Sequence, residues 1–171
     1  GQISNWIAPS EKFANGIKYY LSKSQFNNIR LIWHGVNVEY FNSRKKEKIN
    51  SNIIFVGHLG INKGADLLPE IFLKVKQILP NLNFTVAGEG VLQDELLGQF
   101  TVRDIKVTFT GYLERDAMLE LFKASDILVL PTRVEGFGLV IVEAMACGVI
   151  PIVSRLRGIT DSIVQDGVTG V

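Results

Sequence analysis

Cysteine is almost missing from this sequence, one residue in 171, and there are only two histidines. A lone Cys147 excludes an intramolecular disulfide framework, and one thiol with two imidazoles makes no zinc-ligand set, so a reducing cytoplasm fits best. An excess of charge of one sign is lacking too. Lys plus Arg number 18 against 17 Asp plus Glu, a formal +1, which leaves no global field to attract nucleic acid or an anionic membrane. The longest apolar runs, residues 127–131 and 149–153, fall far short of the ~18 to 20 residues that span a bilayer. The first residues carry no basic stretch ahead of an apolar one; they do not read as a signal peptide, and look like a cut made inside a larger protein.

What is present is a globular balance, 47% hydrophobic and 20% charged, on a length that suits one domain. Ser10 is placed as an N-cap ahead of Phe13, Ile17, Tyr20 and Leu21 at helical spacing, which predicts a helix over residues 11–23. Residues 29–33 read as a short strand, closed by His34-Gly35-Val36-Asn37. The polar, basic stretch after Phe41, with Arg44 to Lys48 as a solvated face, reads as a linker. Beyond it, strands over 52–57, 83–88, 106–111, 126–131 and 149–153 alternate with helices over 65–79, 91–100, 115–124 and 139–147. Strands apolar at nearly every position and joined through helices predict an α/β fold. The expected sheet is doubly wound, mainly parallel and Rossmann-like, covered on both faces.

Ligands of such sheets bind beyond the carboxyl ends of the strands, and glycine collects there. Gly57, His58, Gly60, Lys63 and Gly64 follow the first strand, Gly88-Glu89-Gly90 the second, Gly111 the third, and residues 131–138 the fourth. Uncovered main-chain amides beside a helix N-terminus form a phosphate cradle, to which Lys63 adds a point charge. The bland alternative is that glycine punctuates strand ends in any α/β protein. Gly57, Gly60 and Gly64 are wrongly spaced for the dinucleotide fingerprint, and Lys63 precedes its glycine, so no Gly-Lys-Ser/Thr loop is present. Glu135 and Glu143 stand eight positions apart, the first before a helix and the second about one turn inside it. A carboxylate among Val140, Ile141, Val142, Ala144 and Met145 needs a specific partner. Sugar hydroxyls would serve, and so would Arg133, Arg155 or Arg157; spacing leaves the two readings level.

The run Glu135-Gly136-Phe137-Gly138-Leu139 through Glu143 to Pro151 resembles the signature of family 4 (group 1) retaining glycosyltransferases, two glutamates separated by seven residues. In the same order, residues 34–41 resemble that family's interdomain hinge, 57–64 its donor-phosphate loop, and 86–90 and 107–111 the following strand ends. The resemblance implies the C-terminal half of a GT-B enzyme, in which two Rossmann-like domains face each other across a cleft. It divides the chain into 1–30, the last strand and helix of an acceptor domain; 31–51, hinge and linker; and 52–171, a donor-binding domain truncated at its C-terminal end. It also assigns roles. Glu135 contacts the donor sugar, Lys63 and His58 face the leaving diphosphate, and Glu143 accepts from the ribose hydroxyls. Gly57, Gly88, Gly136, Phe137, Gly138 and Leu139 line the donor, and Gly111, Tyr112 and Leu113 border its base.

Two departures stand out. His58 occupies a place where the family usually has arginine, and the loop after the fifth strand reads Arg155-Leu156-Arg157-Gly158-Ile159-Thr160-Asp161 in place of two glycines and a glutamate. Arg157 either charges the donor site or lies on the surface. No Asp-x-Asp occurs, which suits a metal-independent transferase without a cofactor. The implied donor is a nucleotide-diphosphate sugar, a UDP-sugar ahead of a GDP-sugar. The implied acceptor is a polysaccharide, lipid-linked or lipopolysaccharide glycan held by the other domain, with the fragment inactive alone and no nucleic acid involved. The full-length enzyme is expected in the cytoplasm, with peripheral association at the membrane face. A non-catalytic nucleotide-sugar binding or regulatory module is the rival reading. An epimerase or a glycogen-type phosphorylase is a third, against which the unbroken run from Glu135 to Glu143 argues. Cys147 is expected as a small buried residue and His34 as part of the hinge turn.

Overall fold

The computed structural model describes residues 5–41 and 51–171; the linker expected over 44–48 lies outside the described residues. The chain opens with a parallel pair, β1 (Trp6–Ala8) against β2 (Ile29–Leu31), in register Trp6 to Ile29. Ser10 caps α1 (Glu11–Ile17) as its sequence position suggests, its hydroxyl accepting from the Phe13 amide at 3.2 Å. The single helix expected over 11–23 is not formed. After α1 comes a 3-10 turn at Lys18–Tyr20, an extended Leu21, and a new short helix α2 (Lys23–Phe26). The break has two local causes. Gly16 weakens the last turn of α1, and Ser22 starts a capping box with Gln25 that nucleates a separate helix. Tyr19 and Tyr20 stand 82% and 88% exposed, so no buried face holds one continuous helix together.

A one-turn helix α3 (Val38–Phe41) leads toward the larger sheet. That sheet holds β3 (Asn52–Val56), β4 (Asn83–Ala87), β5 (Val107–Gly111), β6 (Ile127–Leu130) and β7 (Ile150–Val153) in the spatial order β5-β4-β3-β6-β7. All four of its strand pairs are parallel. The connections are α4 (Leu68–Ile78), α5 (Gln93–Val102), α6 (Arg115–Lys123) and α7 (Leu139–Ala146). The first begins later than its apolar pattern, because Ala65–Leu67 forms a 3-10 turn first.

The alternation within β3 explains why two layers of helix are needed. Ile53 and Phe55 enter a core with Leu68, Phe72, Leu96 and Phe100, so α4 and α5 cover one face. Ile54 and Val56 enter a second core with Phe122, Ala144, Cys147 and Phe41, so α6, α7 and α3 cover the other. Cys147 is buried there, its thiol donating to the Phe41 carbonyl at 3.2 Å. Among the described residues no helix is long and apolar enough to cross a membrane.

Candidate functional site

Strand order reverses between β3 and β6, and the loops leaving those two strands diverge around a crevice at the carboxyl edge. The loops are tied to each other before any ligand is considered. The Arg133 and Val134 amides both donate to the Asn62 carbonyl, at 2.9 and 3.1 Å, and the buried Thr132 hydroxyl lies 3.1 Å from the same oxygen. The Arg133 guanidinium grips both Asp66 oxygens, at 2.6 and 2.8 Å, and a third bond reaches the Ile61 carbonyl. That pairing holds the Asp66 carboxyl below the usual carboxylate range. Gly64 is required at this join: its φ is +70°, and a Cβ there would lie 1.9 Å from the Pro131 carbonyl oxygen. Gly88 is required by a similar approach, 2.0 Å from the Gly57 oxygen at φ +129°.

Two cavities meet at the end of β3, sharing Val56 and Gly57. The first, about 460 Å³, is lined by Lys63, Glu135 and residues 136–140, with Pro9, Phe13 and His34 as its opposite wall. Gly138, at φ +99°, turns the chain into α7, so the first amides of that helix open toward this cavity, where anions are favoured. The second, about 410 Å³, is lined by His58, Ala87, Gly88, Glu89, Tyr112, Leu113 and Met118. Glu89 accepts from the Tyr112 amide at 3.4 Å across its floor.

Most of the sequence-predicted residues line this pair of cavities; Glu143 and Gly111 do not. Lys63 and Glu135, expected to face different parts of a ligand, contact each other, Nζ to Oε1 at 2.5 Å, with the side chains 30% and 7% exposed. Gly57, Gly136, Phe137, Gly138 and Leu139 line the first cavity; His58, Gly88, Tyr112 and Leu113 line the second. Gly111 sits just outside, where an added Cβ would meet Glu89. Glu143 lines neither cavity but is partly buried, and that burial pushes its carboxyl above the usual range, opposed by the charge of Arg115. Arg133 is committed to Asp66, and Arg155 and Arg157 are exposed, so none of the three arginines weighed as partners pairs with Glu143.

Sequence reasoning missed three contributors. Asp66 and Thr132 act through loop-to-loop bonds that no local spacing encodes. His34, expected to serve the hinge turn, sets its ring edge-on to Phe137, centroids 5.3 Å apart, and so enters the first cavity's wall. Among the described residues, no three His, Cys, Asp or Glu side chains converge as a metal set.

Comparison with known proteins adds the family. Residues 37–171 match the model of the glycosyl transferases group 1. The uncharacterised glycosyltransferase MJ1607 of Methanocaldococcus jannaschii is 32% identical over 85% of this chain and 40% of its own length. The sulfoquinovosyl transferase SQD2 of Arabidopsis thaliana is 32% identical over 84% of this chain and 30% of its own. The chain thus spans less than half the length of these relatives. The crystal structure of Anabaena HepE with UDP and glucose superimposes with a TM-score of 0.80 at 22% identity, covering 98% of this chain and 48% of that one. A parallel Rossmann-like sheet, two cavities meeting at its switch point, and a family match over most of the sequence agree: the chain belongs to the group 1 glycosyl transferases.

Proposed function

We propose that this chain is the donor-binding half of a retaining, metal-independent glycosyltransferase of GT-B architecture, with residues 52–171 holding a UDP-sugar and residues 1–30 belonging to an acceptor domain. The observation that carries this reading is the pair of cavities joined at Gly57, one bearing a cation, a carboxylate and a helix N-terminus, the other walled by Ala87, Tyr112, Leu113 and Met118 with Glu89 on its floor. A nucleoside diphosphate sugar has the same division: a flat base at one end, two charges in the middle and a ring of hydroxyls at the other.

In this arrangement the base enters between Tyr112, Leu113 and Gly88, and the diphosphate passes Gly57 to reach the amides of Gly136, Phe137 and Gly138. The sugar meets Glu135, and the family resemblance gives Glu143, which lines neither cavity, the role of accepting from the ribose. Bond cleavage at the sugar carbon hands its electron pair to the diphosphate, and Lys63 with the α7 amides stabilises the charge that grows there. Binding shares Lys63 between Glu135 and the diphosphate, leaving Glu135 lone pairs for sugar hydroxyls. The UDP held by the similarly folded HepE favours a UDP-sugar over a GDP-sugar. The acceptor is a glycan or glycolipid presented by the other domain at the cytoplasmic face of a membrane, and the chain alone transfers no sugar.

A thermal-shift titration with UDP-, GDP- and ADP-sugars tests the donor assignment. A ligand at ~100 times its dissociation constant adds ~2.7 kcal/mol. A shift with one nucleotide, lost in Glu143→Ala, is expected; no shift with any of the three sinks the reading.

A further inference from the structure

The sequence contains two histidines, and the fold puts one in each of the two cavities that meet at Gly57: His34 in the first and His58 in the second. The two arrive by different routes. His34 comes from the segment before α3 and reaches the cavity by packing on Phe137; His58 directly follows Gly57 at the exit of β3. Both residues are exposed to solvent in the ligand-free structure.

Charge at this junction is short on the positive side. Among the described residues lining the cavities, Lys63 is the one full cation, and it already lies 2.5 Å from Glu135. Glu89 adds a second carboxylate on the floor of the other cavity, beside Tyr112. From the surrounding helices, α1 brings Phe13 and α6 brings Met118, both uncharged, while Glu11 of α1 lies against Gly158. Arg115 of α6 lies over the Tyr40 ring, 4.2 Å from its centroid, and lines neither cavity, nor does Glu143. One positive against two negative side chains is the fixed charge that meets a donor bringing two more negative charges. The N-terminus of α7 contributes about half a charge.

We propose that His34 and His58 bind the donor diphosphate in their protonated forms, one from either side of Gly57, so that donor binding takes up protons. This rests on the donor-site reading and deepens it: the positive charge of the site is supplied on demand by two imidazoles. The sign follows from linkage. A protonated form that binds better has a higher pKa in the complex than in the free protein. Affinity is therefore full below the free protein's value and is lost as pH rises through the bound value.

Isothermal titration of the protein with UDP-glucose, whose diphosphate diester keeps both charges across the range, reads this directly. Between pH ~8 and ~6 the affinity should rise roughly 3- to 10-fold, with net proton uptake visible as a dependence of heat on buffer ionisation enthalpy. His34→Gln and His58→Gln should each flatten the pH profile, and His58→Lys should raise affinity at pH ~8 while removing its share of the slope. The uptake measurement needs no variant, so a misfolded mutant leaves it intact. UDP-glucose binding of equal strength at both pH values, without proton uptake, overturns the histidine proposal and leaves the donor site standing. Absence of binding by both UDP-glucose and GDP-mannose at either pH overturns the donor site, and this proposal with it.

Discussion

Phe72 stacks on Phe84 and Phe100 with ring centroids 4.4 and 5.7 Å apart, all three buried between α4, α5 and the sheet. Tyr19 and Tyr20 carry rings of similar size and stand almost wholly in solvent. The first set lies in the five-stranded part of the chain and the second in the segment around β1 and β2. Apolar and aromatic residues at helical spacing, Leu68, Ile71, Phe72 and Val75 in the first region and Phe13, Ile17, Tyr20 and Leu21 in the second, give a long helix in one place and a broken one in the other. The difference is whether a second layer is present to receive the apolar face. Helical periodicity encodes a demand for burial; burial, where supplied, makes the helix.

The sharpest way to break this contrast is in the aromatic stack. Phe72→Ala should lower the unfolding free energy by about 3 to 5 kcal/mol in urea titrations, the cost of a large cavity in a packed core. A loss no larger than that of a surface substitution would show that the stack is not what holds the sheet to its helices. Next in size is the binding edge of the same region. Lys63→Met should weaken UDP-glucose binding roughly 10- to 100-fold by calorimetry, as expected for loss of a charge-assisted contact. Unchanged affinity would remove Lys63 from the diphosphate.

Glu143→Gln gives a smaller effect with two signs. Burial holds the Glu143 carboxyl above its ordinary value in the folded protein, so the fold binds the proton more tightly than the unfolded chain does. Stability from this group is therefore greatest at low pH and declines as pH rises from the unfolded value through the raised folded one. At neutral pH the glutamine variant should melt higher than wild type, the gap closing on acidification, while donor binding weakens by about 1 kcal/mol. A lower melting temperature at neutral pH would contradict the burial argument. The smallest effect belongs to the other region: Tyr20→Ser should change stability by less than ~0.5 kcal/mol, as for an exposed side chain without partners in the core.

The same contrast sets what was legible in the sequence. Strands such as Asn52–Val56 and Asn83–Ala87 were readable because burial on both faces leaves a nearly unbroken apolar run, and the glycines at their ends marked the edge where the cavities form. The break between α1 and α2 has local signals in Gly16 and in the Ser22–Gln25 capping box, which the helical spacing of Phe13, Ile17, Tyr20 and Leu21 masked; what no local pattern shows is the absence of a surface beneath Tyr19 and Tyr20. Within the site, residue types could be picked out by local motif, but contacts could not. Lys63 meets Glu135 across 72 positions and Arg133 meets Asp66 across 67, and both pairs exist only because β3 and β6 are neighbours in the sheet. The second of these also removes Arg133 from the arginines weighed as partners of Glu143, because both of its terminal nitrogens are held by Asp66. His34 became a cavity residue through its contact with Phe137, a consequence of how the first segment lies against the α7 loop.

The central claim is that one donor molecule occupies both cavities across Gly57. Amide chemical-shift mapping with UDP-glucose tests it most directly. Binding across the junction requires shifts at Gly57, at Gly88 and Tyr112 on one side, and at Gly136, Phe137 and Gly138 on the other, saturating with one common dissociation constant. Shifts confined to the separate pocket around Arg155, Asp161 and Asp166, or no shifts at all, would contradict it.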